Sequence, residues 1–343
     1  MKQMLNVLYV STPGAYLGKD GECVSVRREG QSPQRVPIAA LEGIICLGRV
    51  SASPYLMAFC AEKSVALTFL TETGRFLASV HGETRGNVLL RRWQYRWADD
   101  PERSAQVARN VLKGKIANAR TVLRRGARES RDPTLAARLG EAADIQTAAL
   151  TRLDRERDVD GLRGVEGDAA HAYWSSFGAL ILNDNPAFQF TGRNRRPPRD
   201  AVNALLSFVY VLLAHDCRAA LEGVGLDAFV GFLHRDRPGR ASLALDLEEE
   251  LRSILADRLV LSLINRRQVE ANGFQTLDTG AVVMNEATRK TVITAWQERK
   301  RETIQHPFLQ EDAEIGLLPH LQSLLLARHI RGDLDLYPPL IWA

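Results

Sequence analysis

The sequence lacks paired cysteines. Cys23, Cys46, Cys60 and Cys217 are scattered, and no CxxC occurs. That excludes a zinc ribbon and a disulfide framework, and it fits reduced thiols in a prokaryotic cytoplasm. A membrane-length apolar run is also missing. The longest interior stretch without charge, Ala201–Ala214, contains Asn203 and Ser207. It falls short of the roughly 18–20 residues of a span. The opening residues carry one Lys and an apolar run broken by Asn6, poor material for a signal peptide. There is no internal repeat and no low-complexity block. Charge of one sign is scarce too: 45 basic residues face 41 acidic ones, for a net +4. A uniformly basic polyanion binder would carry more, so any basic partner surface must be a patch.

What is present suffices for a folded protein. The 343 residues suggest about two domains, and 45% apolar with 25% charged residues excludes a disordered chain. The first ~80 residues punctuate like a β-domain. Leu5–Val10, Cys23–Arg28, Gly43–Leu47 and Val65–Leu70 read as strands, Thr71–Gly74 as a hairpin turn, and Pro54–Glu62 as one short helix. After His81-Gly82 the apolar spacing changes to three and four. Helices are predicted at Arg103–Arg125, Pro133–Arg155, Gly167–Leu182, Asp200–Glu222, Ser242–Ile264, Asn285–Thr303 and Leu317–Ile330. The fold class expected is α+β, with a small β-domain over 1–85 and a larger all-α domain over 86–343. The tail Leu334–Ala343, with Pro338-Pro339, is predicted to lie extended on the surface or against a partner.

The modest net charge is unevenly spread. Arg85 to Arg128 holds twelve basic residues against three acidic ones. Arg109, Lys113, Arg120 and Arg124 are spaced to share one helix face, as a phosphodiester-binding stripe requires. A solvated helix face is the plain alternative, although ordinary exposed helices mix signs. Arg91, Arg92 and Arg96 interleave with Trp93, Tyr95 and Trp97, which suit packing better than base stacking. A second basic knot contains Arg193, Arg195, Arg196 and Arg199 around Pro197-Pro198. Four arginines in a stiff loop suit phosphate or carboxylate binding.

Three places supply candidate chemistry. Glu166 lies near the expected start of a helix, with Ala170 and Tyr173 on the same face; a helix-capping acid is the alternative. His234 ends an apolar segment before a Pro238-Gly239 turn, where a structural histidine is the commoner case. On the helix that follows, Asp246 shares a face with Glu249 and with Glu250. Such carboxylates repel unless a cation relieves them or water solvates them. Together these places suggest a His-plus-carboxylate site for Mg²⁺ or Mn²⁺, the equipment of phosphodiester chemistry.

At these residues the sequence resembles a known family, the CRISPR-associated adaptation integrases. Four stretches carry the resemblance: Gly164–Tyr173, GRNRRPPRDAVNALLSFVY ending at Tyr210, Gly231–Arg252, and KIANAR at Lys115–Arg120. Gly316–Leu326 and Tyr337–Trp342 look like the subtype I-C branch. The resemblance implies a β-sandwich-like N-terminal domain, serving dimerisation and partner contacts, and an α-helical catalytic domain. It carries the family's metal ligands over to Glu166, His234 and Glu249, with Asp246 as a supporting catalytic acid. Many members have Asp where this chain has Glu249, and the Glu248-Glu249-Glu250 run leaves a one-residue register shift open. The implied protein is a homodimer assembled around a small ferredoxin-like second adaptation protein, bound to double-stranded prespacer and repeat DNA and to no membrane. Its reaction joins prespacer 3′-hydroxyls to the repeat edges by transesterification without ATP, and water in their place gives nuclease activity. Arg193, Arg195, Arg196, Arg252, Arg109, Lys113, Arg120 and Arg124 are the expected DNA contacts. Asn203, Ser207 and Tyr210 share a helix face and would line the site or the core. The competing reading is a non-catalytic DNA-binding scaffold of the same fold.

Overall fold

The computed structural model describes residues 7–41, 43–63, 65–71, 76–80 and 88–342. The turn expected at Thr71–Gly74 lies largely outside them, as do the texture change at His81-Gly82 and Arg85. The chain divides into two compact units, Met1–Gly86 and Asn87–Ala343.

The first unit is β-rich. One sheet runs in the order β1 (Val7–Val10), β5 (Gly43–Leu47), β7 (Ala66–Leu70), β8 (Phe76–Val80). β1, β5 and β7 are parallel, and β8 returns antiparallel to β7. β5 is buried along its whole length, which is why it reads as an unbroken apolar run rather than an alternating one. The second sheet is ordered β4 (Gln31–Pro37), β3 (Cys23–Arg28), β2 (Tyr16–Asp20), β6 (Ser51–Ala52). Helix α1 (Pro54–Glu62) starts where Ser53 Oγ accepts from Leu56 N–H, with Pro54 in the first turn. Leu17, Val24 and Val26 of one sheet share a core with Val10, Ile44 and Leu67 of the other and with Leu56 and Phe59 of α1.

The second unit is mostly helical: α2 (Val88–Asp99), α3 (Pro101–Glu129), α4 (Pro133–Leu153), α5 (Val159–Phe177), α6 (Ala201–Val224), α7 (Ser242–Leu251), α8 (Arg258–Asn265), α9 (Glu286–Lys300) and α10 (Leu318–Arg331). Asp100, Asp132, Asp158 and Asp200 each cap a helix through a side-chain oxygen. The unit is not all-α. β9 (Phe274–Thr276) pairs with β10 (Val282–Met284), and β11 (Thr303–Gln305) with β12 (Asp312–Glu314), as two short antiparallel ribbons. Strands of three residues leave too little alternation to read. Contrary to the reading of its charge-free stretch, α6 is by length and composition long and apolar enough to cross a membrane, because the window extends past Ala214; most of it is buried within the unit, as in the core helix of a folded domain. The single helix expected at Ser242–Ile264 is interrupted by a π-helical segment, Arg252–Asp257.

The tail packs against the helical unit at some positions and stays on the surface at others, where Leu336 and Ile341 are exposed. Tyr337 and Leu340 are buried. Glu250 of α7 accepts from Leu340 N–H at 2.8 Å, from Gln322 Nε2 at 3.2 Å and from the Tyr337 hydroxyl. Asn118 of α3 donates to Leu340 O and Glu250 O and accepts from Trp342 N–H. Every polar atom of its amide thus meets the strap or α7, which fixes the strap's path. One turn earlier on α3, Gly114 permits the close approach. A Cβ there would stand 2.8 Å from Glu250 Cβ and 3.2 Å from Pro339 Cβ. Gly114→Ala is therefore expected to destabilise this unit by about 1–3 kcal/mol through overpacking. Calorimetry should show a melting temperature lower by at least ~2 °C; an unchanged value would mean that the strap is not packed this way.

Candidate active site

Glu166 does not begin a helix. Asp158 caps α5 by accepting from Gly161 N–H at 2.8 Å, so Glu166 lies two turns inside. The capping role weighed for it therefore falls away. Its carboxylate pairs with Lys115 Nζ of α3 in a very short contact.

His234 sits on a loop held from two sides. Asp246 Oδ2 accepts from the backbone N–H groups of Phe232 (2.7 Å) and Leu233 (2.9 Å), and Oδ1 accepts from His234 N–H (2.9 Å). Asp246 Oδ1 also lies 2.7 Å from His234 Nδ1. A carboxylate only accepts, so Nδ1 carries the proton, and Nε2 is the nitrogen left to face Glu249. Gly231 makes the approach possible, since a Cβ there would stand 2.9 Å from Asp246 Oδ2. From α5, Arg163 Nε donates to Leu233 O at 2.9 Å. Asp246 has four contacts on its two oxygens and is buried, so it positions the histidine and has no oxygen directed at the cavity.

The three consecutive glutamates of α7 are all buried, which excludes the acidic solvent face weighed for them. Glu248 takes Arg252 Nε (3.0 Å) and Nη2 (3.2 Å). Glu250 takes the strap. Glu249 faces Glu166 across Lys115, with Oε2 at 2.7 Å from Lys115 Nζ. Glu249 Oε1 lies 2.6 Å from Arg252 Nη1 and 3.8 Å from His234 Nε2. Burial opposes the ionisation of Glu249, but Arg252, Lys115 and His234 outweigh it and bring the carboxyl down to about 2. Burial likewise disfavours the charge of Lys115, yet Glu249 and Glu166 hold it above the ordinary lysine value. Burial pushes Glu250 up to about 7, against its hydrogen bonds.

A cavity of about 60 Å³ adjoins these groups. Lys115, Glu166, Ala169, Ala170, Glu249 and Arg195 are among its walls. Behind it, Asp257 at the end of the π segment accepts from Tyr173 Oη (2.8 Å) and Tyr210 Oη (2.6 Å). The Tyr210 ring lies between the guanidinium groups of Arg252 (4.9 Å) and Arg193 (5.2 Å). π-helical turns recur at functional sites, and this one links Arg252 to Asp257. Asn203 is buried and accepts from Arg193 Nη1, while Ser207 Oγ accepts from Nη2. The Asn203–Ser207–Tyr210 face thus organises the arginine loop and the back of the cavity.

The structure gives several of the expected DNA contacts partners within the chain. Arg109 donates to the carbonyls of Leu153 (3.1 Å) and Glu156 (2.8 Å), and Lys113 pairs with Asp154 at 2.6 Å. Half of the α3 stripe therefore closes the C-terminal end of α4, where carbonyl dipoles attract cations. Arg252 and Arg193 are engaged internally as described. Arg120 is half-buried, and Arg124, Arg195 and Arg196 are exposed. Lys115, Arg163 and Asp257 were not singled out individually as site residues from the sequence. Lys115 stood within KIANAR without a role, and nothing local marks the other two.

Glu166, Glu249 and His234 Nε2 supply two carboxylates and an imidazole, a donor set that suits Mg²⁺ or Mn²⁺. Among the described residues no three such groups stand close enough to hold an ion as they are. The place between the two carboxylates is taken by the Lys115 ammonium, so the residues fit a cation there.

Asp257 carries a pH signature. Burial pushes its carboxyl from 3.8 to about 6, against the two tyrosine hydroxyls that favour ionisation. Its contribution to stability is full below the unfolded value and is lost as the pH rises through about 6. Two units correspond to a loss on the order of 2–3 kcal/mol. Urea unfolding of the wild type and Asp257→Asn should diverge between pH 4 and 6, only the wild type losing this increment. Parallel profiles would show that Asp257 ionises as freely folded as unfolded.

The family model for CRISPR associated protein Cas1 matches residues 8–298. The curated relative "CRISPR-associated endonuclease Cas1 1" of Chlorobaculum tepidum is 53% identical over 342 residues, covering all of both chains. In fold the chain is similar to a CAS1 protein from Thermotoga maritima, with TM-score 0.83 and 22% identity over 95% of this chain and 97% of that one. It is equally similar, at TM-score 0.83 and 21% identity over 98% and 94% of the two chains, to a casposase solved bound to its integration product. A helical second unit with this donor set, a family match through most of the chain and a relative identical at half of all positions agree: the chain belongs to the Cas1 family.

Proposed function

We propose that this chain is a divalent-metal-dependent DNA endonuclease and integrase of CRISPR adaptation. It joins the 3′-hydroxyl ends of a prespacer duplex to the repeat edges of a CRISPR array. The observation that carries the reading is the meeting of Glu166 from α5 and Glu249 from α7 around one cationic centre, with His234 Nε2 3.8 Å from Glu249. Acids presented by two helices to one charge, beside a cavity bearing Arg195, suit a polyanionic substrate.

Glu166, Glu249 and His234 would hold Mg²⁺ or Mn²⁺. A bound ion of this kind supplies Lewis-acid polarisation of the phosphodiester and stabilisation of the leaving oxygen. Asp246 fixes the tautomer and direction of His234. Arg195 and Arg196 hold phosphate oxygens, with Arg124 and Arg120 further along the duplex. One phosphodiester forms as another breaks, so no nucleotide triphosphate is consumed; water in place of the 3′-hydroxyl yields cleavage. The two sheets of the first unit, sharing one core, support a sandwich-like domain for homodimer and partner contacts. The remaining partner is a small ferredoxin-like adaptation protein, in a prokaryotic cytoplasm, and Gly316–Leu326 with Tyr337–Trp342 suit the I-C branch.

Strand transfer of a 3′-hydroxyl-ended duplex into a repeat-bearing plasmid with Mn²⁺ tests this. Glu166→Gln and His234→Ala should each lower the product by more than ~100-fold, and Asp246→Asn by ~10–100-fold. Undiminished transfer by Glu166→Gln or His234→Ala would overturn the assignment.

A further inference from the structure

Lys115 has no role of its own in the reading above. Its ammonium touches Glu166 and lies 2.7 Å from Glu249 Oε2. Glu249 Oε2 is shielded from solvent and has no hydrogen bond of good geometry, so the Lys115 charge is what relieves it. Two carboxylates brought this near would otherwise repel. The Lys115 backbone is fixed: Gly114 is wedged against Glu250 and Pro339, and Asn118 is tied to the strap. The side chain lies at the cavity, whose walls include the small residues Ala169 and Ala170, and its four-carbon stem is flexible.

We infer that Lys115 is a built-in counter-cation, holding Glu166 and Glu249 together until a divalent ion takes the carboxylates and displaces the ammonium into the adjoining cavity. There it joins Arg195 as a second positive group facing an anionic substrate oxygen. Lys115 is thus a positioning residue whose location reports the state of the site. Without it, the carboxylates lose the cation they share, and the ion meets no competitor. The inference rests on the reading of Glu166 and Glu249 as metal-holding residues.

Calorimetric titration with Mn²⁺ and thermal unfolding of the full chain test it. Lys115→Met should bind Mn²⁺ at least ~10-fold more tightly than wild type. Its metal-free melting temperature should fall, and Mn²⁺ should raise that temperature more than it does in the wild type. Should Lys115→Met not fold, the wild type still decides. Amine labelling of Lys115 with a succinimidyl ester, read by mass spectrometry, should increase several-fold on adding Mn²⁺. Unchanged Mn²⁺ affinity in a folded Lys115→Met, or unchanged labelling of the wild type, would overturn the inference. Glu166→Gln separates the two claims: if it binds Mn²⁺ like wild type, the ligand reading itself fails; if it loses Mn²⁺, that reading stands and the Lys115 result judges the counter-cation alone.

Discussion

Three glutamates in succession, all buried on one short helix, are the constraint around which the second unit is arranged. An isolated buried carboxylate is costly, and removing one partner of a buried pair is strongly destabilising. Successive residues of a helix point about 100° apart, so no single neighbour can serve all three. Each is met from a different direction. Arg252, one turn on, serves Glu248; Lys115 of α3 and the His234 loop meet Glu249; the strap closes on Glu250. The long α3 contributes to two of these solutions at once, with Lys115 toward the cavity and Asn118 toward the strap.

The three solutions differ in how readily they can change. Glu250 is met by neutral donors, a tyrosine, an amide and a backbone N–H, all on packed segments. Glu248 has a two-pronged guanidinium contact that is rigid and charge-assisted. Glu249 alone is relieved partly by a flexible ammonium beside open space. The outer two acids hold α7 in place, and the middle one is left to exchange its partner. Asp246 adds to this order from one turn earlier, converting the same helix into the support for His234.

Much of this was legible in the sequence. Cys23–Arg28 and Gly43–Leu47 form strands and Pro54–Glu62 a helix, within the bounds read from turn residues and apolar runs. α3, α4 and α6 follow their apolar period and begin at Asp caps. The start of α5 did not, because Gly161 and Gly164 weaken the helical signal that Asp158 opens. α2 is hard to read because its buried residues Leu90, Gln94 and Trp97, spaced by four and three, include a polar one and sit among arginines and the exposed aromatics Trp93 and Tyr95. Spacing alone brought Asp246 and Glu249 to one helix, but could not separate a positioning acid from one that faces a cation. That distinction lies in the backbone N–H groups of residues 232–234, which no side-chain pattern records.

The charge distribution shows most clearly how a linear reading misleads. A run of arginines and lysines counts as a surface only if its charges stay outside. Here Arg109 and Lys113 close a helix end, Arg163 holds the histidine loop, Arg193 and Arg252 enclose Tyr210, and Lys115 sits between two acids. These charges serve to bury carboxylates and carbonyl ends. Outward at the cavity stands Arg195, on a loop that also exposes Arg196 and Arg199. The basic surface available to a polyanion is thus smaller than the sequence count, and one part of it, at Arg195, borders the cavity beside the acidic centre. Internal cations make the acidic cluster foldable, and an external one, Arg195, sets the charge at the wall of its cavity.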